Sequence, residues 1–245
     1  MHVVYLASWP RSGNTMLRAI LWHCFGIRSG SRYVEAGTLH HVAIRDLVGS
    51  LPWYPSGKEA AQAMSGQAIF VMKTHELTNA SSDVPAIYLV RDGREACVSN
   101  WKFINIRQRD GKQADATEEI PLVDVIQGSY EEQEDFGSWS EHLEAWSPKT
   151  RPNTLLLRYE DMVADVPGTV RQVGEFIHRE PMKDEIPPFE VFQEVQPAFF
   201  RSGTNETWRD LMSPEGIELF WSLHRNAMDR YGYPERVGMM EQVCR

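Results

Sequence analysis

The chain has 245 residues and a formal net charge of −9, with 42% hydrophobic and 11% aromatic residues. This length suits one α/β domain that buries its core without disulfides. The acidic balance argues against a general nucleic-acid or anionic-membrane binder, so an anionic ligand would need a local basic patch. The three cysteines have no paired spacing, which favours a reducing compartment over a disulfide framework.

Strand-like and helix-like segments alternate along the chain. In chain order we predict a strand at 3–8, a helix at 15–25, strands at 68–73 and 86–90, helices at 94–106 and 138–146, a strand at 154–157, and helices at 166–177 and 214–231. Ser213 is the expected N-cap of the last helix, which ends near Gly232. The alternation predicts an α/β fold with a central parallel β-sheet flanked by helices and a ligand site at the carboxyl ends of the strands.

Two stretches look like excursions from this core. Residues 29–66 are rich in glycine and proline, and residues 108–137 are polar and acidic. We expect both to lie on the acceptor side of one domain spanning residues 1–245. No apolar stretch approaches the roughly 18 residues of a membrane span, and the first residues do not resemble a signal segment. We therefore expect a cytoplasmic protein without a membrane partner.

The loop after the first strand has residue types that suit an anion. A strand–loop–helix junction presents unpaired backbone N–H groups and the positive end of the helix dipole. Gly13 permits a tight turn, and the Arg11 fork suits phosphate or sulfate oxygens. Further side-chain donors are Ser12, Asn14 and Thr15. The pattern G-x-x-x-x-G-K-[ST] is missing, which weakens an ATPase or GTPase interpretation; the alternative is an ordinary turn with a surface arginine.

The second predicted strand runs into Lys73 and His75. Two residues apart on extended backbone, their side chains point the same way, toward the crevice at the strand end. An imidazole accepts a proton near neutral pH, and a lysine neutralises charge on a leaving phosphate. The pair predicts a catalytic base and a cation, and the alternative is a structural histidine at a strand end. Glu76 is a rival base.

The third predicted strand ends at Arg91, and Ser99 lies about two turns into the following helix. Together they would hold a second phosphate. The alternative is that Arg91 pairs with a neighbouring carboxylate, Asp92 or Glu95.

Five segments in this order resemble the nucleotide-dependent sulfotransferase family. Residues 10–15 are similar to its 5′-phosphosulfate loop, and residues 73–75 to its K-x-H element. Arg91 and Ser99 match the spacing of its 3′-phosphate motif R-D-x-x-x-x-x-x-S. Residues 159–161 resemble its Y-E-D element. Residues 200–203, with Trp208, resemble the R-K-G-x-x-G-x-W segment that closes over the 3′-phosphate.

The resemblance implies a P-loop-kinase-like sulfotransferase fold and transfer of a sulfuryl group from 3′-phosphoadenosine 5′-phosphosulfate (PAPS). The acceptor would be a hydroxyl or amine of a small molecule or glycan, and the product 3′,5′-adenosine bisphosphate (PAP). Direct in-line transfer would use His75 as base, with Lys73 and Arg11 stabilising charge, and no metal. The resemblance implies further that the donor is held by residues 11–15 and by Arg91, Ser99, Tyr159, Arg201, Ser202 and Gly203.

Some features leave alternatives open. Met16 stands where several family members have an adenine-stacking tryptophan. The aromatic residues near the excursions would either line an acceptor pocket or pack in the core: Trp53, Tyr54, Trp101, Phe103 and Trp139. The family's dimerisation motif has no counterpart, so a monomer and a homodimer are both possible. A kinase of related fold and a non-catalytic nucleotide-binding protein are the rival functions.

Overall fold

A five-stranded, all-parallel sheet forms the centre of the computed structural model, which describes residues 2–31, 42–51, 69–111, 119–130, 135–195, 197 and 206–235. The strands are β1 His2–Ser8, β2 Ser29–Ser31, β3 Ile69–Thr74, β4 Ala86–Val90 and β5 Thr154–Arg158. Their spatial order is β2-β3-β1-β4-β5. The predicted α/β fold with a central parallel sheet is confirmed.

Helices connect the strands within the described residues. They are α1 Asn14–Phe25, α2 Val42–Val48, α3 Gly93–Gly111, α4 Leu122–Gln127, α5 Trp139–Trp146, α6 Tyr159–Ala164, α7 Val166–Ile177, α8 Phe189–Val195, α9 Trp208–Leu211 and α10 Pro214–Tyr231, with a 3-10 turn at Leu77–Asn79. The bounds predicted for α7 and α10 are confirmed. No helix in the described part of the chain is both long and apolar enough to cross a bilayer.

Helix ends follow local capping chemistry. Ser213 accepts a hydrogen bond from the backbone of Gly216, and Gly232 ends α10 at a φ of 80°. Before α5, Ser138 and Glu141 form a reciprocal capping box. These contacts pair N–H groups that the first turn of a helix leaves without an intrahelical partner.

The sheet is covered on both faces because successive side chains point to opposite sides. Val4 and Leu6 of β1 join a core cluster with α1 and α7. Ala7 of β1 and Tyr88 of β4 join a second cluster, with α3, α5 and α10. Helices therefore cover both faces of the sheet at β1 and β4, as the central strands of a parallel sheet require.

Strand register brings four strand ends to one edge of the sheet. Ala7 pairs with Thr74, Ser8 with Leu89, and Val90 with Arg158. The residues that follow these strands therefore meet at the same crevice. This edge is where an open α/β sheet binds its ligands.

Candidate active site

The loop between β1 and α1 has an unusual backbone. Arg11 has a φ of 63° and Gly13 a φ of 111°. A Cβ at position 13 would lie 2.5 Å from Cδ2 of Tyr159 and 3.2 Å from Cε of Met162. Only glycine fits this position without displacing α6, so the loop packs directly on that helix.

Polar atoms of this loop are buried without a partner. Among the described residues, Ser12 Oγ and both amide atoms of the Asn14 side chain make no hydrogen bond. Gly13 occupies the N-cap position of α1, and no side chain caps that helix. Buried polar groups are rarely left unsatisfied in a native fold. The loop and the helix N-terminus therefore fit a polar, anionic group such as phosphate or sulfate.

His75 lies directly after β3 and is buried. Its Nδ1 is 2.6 Å from the carbonyl oxygen of Ser8. A carbonyl only accepts, so Nδ1 carries the proton and Nε2 is the basic nitrogen of the neutral ring. Burial, followed by the charge of Lys73, holds the pKa of His75 well below its usual value. The imidazole is therefore neutral at physiological pH.

Glu76, the rival base, has its carboxylate engaged locally. Its Oε2 accepts hydrogen bonds from Asn79 Nδ2 at 3.1 Å and Thr78 Oγ1 at 3.3 Å. These bonds hold the carboxylate at the start of the 3-10 turn.

Arg11, Arg91 and Ser99 lie close together in the structure. Arg11 Nε lies 3.4 Å from Ser99 Oγ, and Arg91 Nη1 donates to the Arg11 carbonyl at 3.1 Å. The Arg91 guanidinium stacks 4.3 Å from the ring centre of Tyr159. Two cations, a hydroxyl and an aromatic ring thus share the strand-end crevice with His75, although net charge is negative.

The two carboxylates beside Arg91 behave differently. Asp92 pairs with Arg94, its Oδ1 lying 2.9 Å from Nε. Glu95 Oε1 lies 3.7 Å from Arg91 Nη2. The expected alternative of an Arg91–carboxylate pair is thus present with Glu95, and it coexists with a guanidinium at the crevice.

The aromatic residues predicted near the acceptor have different surroundings in the structure. Trp139 packs in the core against Phe220 and His224, so it does not line an acceptor pocket. Trp101 donates its indole N–H to the Ile120 carbonyl. Phe103 lies beside the Arg11 guanidinium, 4.8 Å away.

Some predicted residues lie outside the described ranges. They are Arg201, Ser202, Gly203, Trp53 and Tyr54.

Sequence reasoning missed the residues that hold the His75 turn. His142 Nε2 donates to the His75 carbonyl at 3.0 Å, and Trp146 Nε1 donates to the Glu76 carbonyl at 3.1 Å. Tyr88 donates its hydroxyl to His142 Nδ1 at 2.6 Å. The available signal was the four-residue spacing of His142 and Trp146, which places both donors on one helix face.

Phe136 also contacts this turn, with its ring edge-on to His75 at a centroid distance of 5.8 Å. Within the described ranges, no group of three or more His, Cys, Asp or Glu residues is arranged to hold a metal ion.

Solved structures share this fold. One is mouse sulfotransferase SULT7A1 complexed with PAP, at a TM-score of 0.63 and 18% identity, covering 95% of this chain and 88% of that one. Another is retinol dehydratase in a complex with retinol and PAP, at a TM-score of 0.62 and 17% identity, covering 92% and 81%. At these identities the likeness establishes the fold.

Sequence relatives carry the same family name. Sulfotransferase 2A6 of Rattus norvegicus is 28% identical over 176 residues, which are 63% of this chain and 59% of the relative. Luciferin sulfotransferase of Photinus pyralis is 22% identical over 265 residues, covering 89% and 69%. The chain thus matches about 59% of the length of the rat protein. The family model of the sulfotransferase domain matches residues 2–232, and the chain belongs to that family.

Proposed function

We propose that this chain transfers a sulfuryl group from PAPS to a hydroxyl or amine of a small-molecule or glycan acceptor, by direct in-line transfer. One observation carries the proposal. A neutral, buried histidine with a defined basic nitrogen shares one crevice with two arginines and a loop of unpartnered polar atoms. Relatives named as sulfotransferases and solved structures holding PAP support the choice of donor.

The residues present fit the donor. Ser12 and Asn14 offer buried donor and acceptor atoms for the 5′ group, alongside Gly13, Thr15 and the cation of Arg11. When bound, PAPS supplies a sulfuryl group activated on a 5′-phosphate.

The other end of the donor has its own candidate residues. Arg91 and Ser99 would hold the 3′-phosphate, with Arg201, Ser202 and Gly203 added by analogy to the family. Tyr159, whose ring lies under Arg91, would face the adenine.

His75 would accept the acceptor's proton at Nε2. The hydrogen bond from Nδ1–H to the Ser8 carbonyl orients the ring and leaves Nε2 as the nitrogen that can accept a proton. The charges of Lys73 and Arg11 both lower the pKa of His75, as burial does first. Pairing of those two cations with phosphate oxygens would raise that pKa again and strengthen the base when the site is filled.

Lys73 and Arg11 would stabilise negative charge at the departing oxygen. Cations that already stand beside the crevice would need little reorganisation during the reaction, which is the main physical advantage of such a site. Arg11 adds directional donors, whereas Lys73 is a compact charge on a flexible stem.

We propose a single domain over residues 1–245, a cytoplasmic location and metal-free transfer. The edge contact of Phe136 with His75 supports an acceptor role for the stretch 108–137. Turnover that survives EDTA treatment is the expected result, and loss of turnover reversed by a divalent cation would contradict metal-free transfer.

Calorimetric titration with PAP tests the donor site, with ATP and magnesium as comparison. PAP should bind, and Arg91→Ala should weaken it by about tenfold or more, since a hydrogen bond to a charged group contributes roughly 1.5–3 kcal/mol. Arg225→Ala is the matched control, because Arg225 is an exposed arginine that pairs with Glu235 on the surface. Binding of ATP with magnesium but not PAP would favour the kinase alternative and refute the proposal. Sulfated product from an acceptor screen with PAPS completes the test.

A further inference from the structure

Glu95 is buried at 3% relative exposure in the first turn of α3, yet it belongs to neither phosphate-binding set. Its carboxylate meets two parts of the protein. Oε1 accepts the Thr207 hydroxyl at 2.6 Å and lies 3.7 Å from Arg91 Nη2. Oε2 accepts the backbone N–H of Trp208 at 3.3 Å. One side chain thus touches the crevice arginine and a segment more than 100 residues away.

The Glu95 side chain accepts the hydrogen bonds at the start of α9. Thr207 occupies the N-cap position of that helix but its side chain makes no capping bond. Instead its hydroxyl and the first helical N–H both donate to Glu95. A buried carboxylate needs such hydrogen-bond partners.

The neighbouring ion pair holds the same segment. Arg94, buried and paired with Asp92, lies 4.3 Å from the ring centre of Trp208 and 5.5 Å from that of Trp221. The turn after β4 therefore holds Trp208 from two directions. The hydrogen bonds of Glu95 place the backbone, and the Arg94 guanidinium packs on the indole.

We propose that Glu95 is a positioning residue that couples Arg91 to the start of α9, so that the grip on the 3′-phosphate depends on the Glu95–Thr207 bond. The inference rests on the proposed function, because it needs a donor phosphate at Arg91. The Arg91 guanidinium has two neighbours in the protein: Glu95 Oε1 lies 3.7 Å from Nη2, and Nη1 donates to the Arg11 carbonyl. Loss of the Thr207 hydroxyl frees one carboxylate oxygen to approach Arg91 and compete with the phosphate.

A purely electrostatic role of Glu95 predicts the opposite change in ligand affinity for the variant Glu95→Gln. A negative charge this close to Arg91 repels an anionic ligand, so removing it in Glu95→Gln should tighten binding if Glu95 acts only as a charge. If Glu95 positions Arg91, the same variant should weaken binding. Thr207→Val changes no charge and removes only the hydroxyl, so it tests positioning separately.

The experiment measures the Kd of PAP and of adenosine 5′-phosphate, which lacks the 3′-phosphate. We expect Thr207→Val and Glu95→Gln each to lower the preference for PAP about tenfold, with little change for adenosine 5′-phosphate. Thr207→Ser, which keeps the hydroxyl, should retain the wild-type preference for PAP over adenosine 5′-phosphate. If the role of Glu95 and Thr207 is purely structural, the variants should have a lower Tm and should bind both nucleotides more weakly by the same factor. That result would overturn the inference.

Each outcome decides between the hypotheses. A wild-type protein that does not prefer PAP over adenosine 5′-phosphate would overturn both the proposed function and this inference. A wild-type preference that survives in Thr207→Val, or that rises in Glu95→Gln, would overturn the inference alone. Selective loss in Thr207→Val with recovery in Thr207→Ser would support it, even if Glu95→Gln fails to fold.

Discussion

Replacing Gly13 with alanine should damage both stability and donor binding, by an amount that the structure allows us to work out. A φ of 111° costs a residue with a Cβ roughly 1–2 kcal/mol. The new Cβ would also lie 2.5 Å from Cδ2 of Tyr159. That ring cannot move freely because the Arg91 guanidinium lies over it, and overpacking of this kind costs about 1–3 kcal/mol.

The two effects together lower the free energy of unfolding by about 2–5 kcal/mol in Gly13→Ala. Urea unfolding followed by tryptophan fluorescence measures the loss, and PAP titration measures the accompanying fall in affinity. Gly232→Ala is the matched control: its φ is 80°, but its Cβ would meet nothing within 4 Å. We expect the control to lose only the backbone contribution, about 1–2 kcal/mol, with PAP affinity unchanged. Equal losses in the two variants would refute the steric reasoning.

Three further predictions follow from single side chains. His75→Ala should lower turnover about 10²–10⁴-fold with PAP affinity changed less than about twofold; undiminished turnover would remove His75 as the base. Burial lowers the pKa of His224 from 6.5 to about 4, so between pH 6.5 and pH 4 the unfolded chain binds that proton and the folded chain does not. In this window the contribution of His224 to the free energy of unfolding falls by about 1.4 kcal/mol for each unit by which the pH is lowered. His224→Gln should flatten the measured slope between pH 6.5 and 4 by that amount, and an unchanged slope would contradict the assignment. Ser138→Ala should lower the free energy of unfolding by about 1 kcal/mol, because it removes the capping box of α5; an unaltered urea midpoint would count against this.

The sequence predicted that Arg11, His75 and Arg91 lie at strand ends because each follows closely on an apolar run. Apolar runs marked β1, β3, β4 and β5, and the polar residues directly after each run were visible beside them. In a parallel sheet the carboxyl ends of strands lie at one edge, so Arg11, His75 and Arg91 had to approach one another. No contact between distant residues was needed for that inference.

β2 escaped prediction for a physical reason. Its residues Ser29–Ser31 carry no apolar side chain, so no hydrophobic pattern marks them. The strand exists because β3 offers it a parallel edge, with Gly30 beside Met72. Such a strand is defined by its pairing with a neighbouring strand, which the local sequence does not reveal.

Only the tertiary structure also decided which charged and hydrogen-bonding groups pair with each other. Sequence proximity offered Asp92 and Glu95 equally to Arg91, yet Asp92 pairs with Arg94. The tautomer of His75 depends on the Ser8 carbonyl, 67 residues away along the chain. Periodicity in a sequence reports which faces are buried, because burial repeats with the backbone. It carries no record of which distant donor meets which acceptor, since that depends on how the helices pack over the sheet.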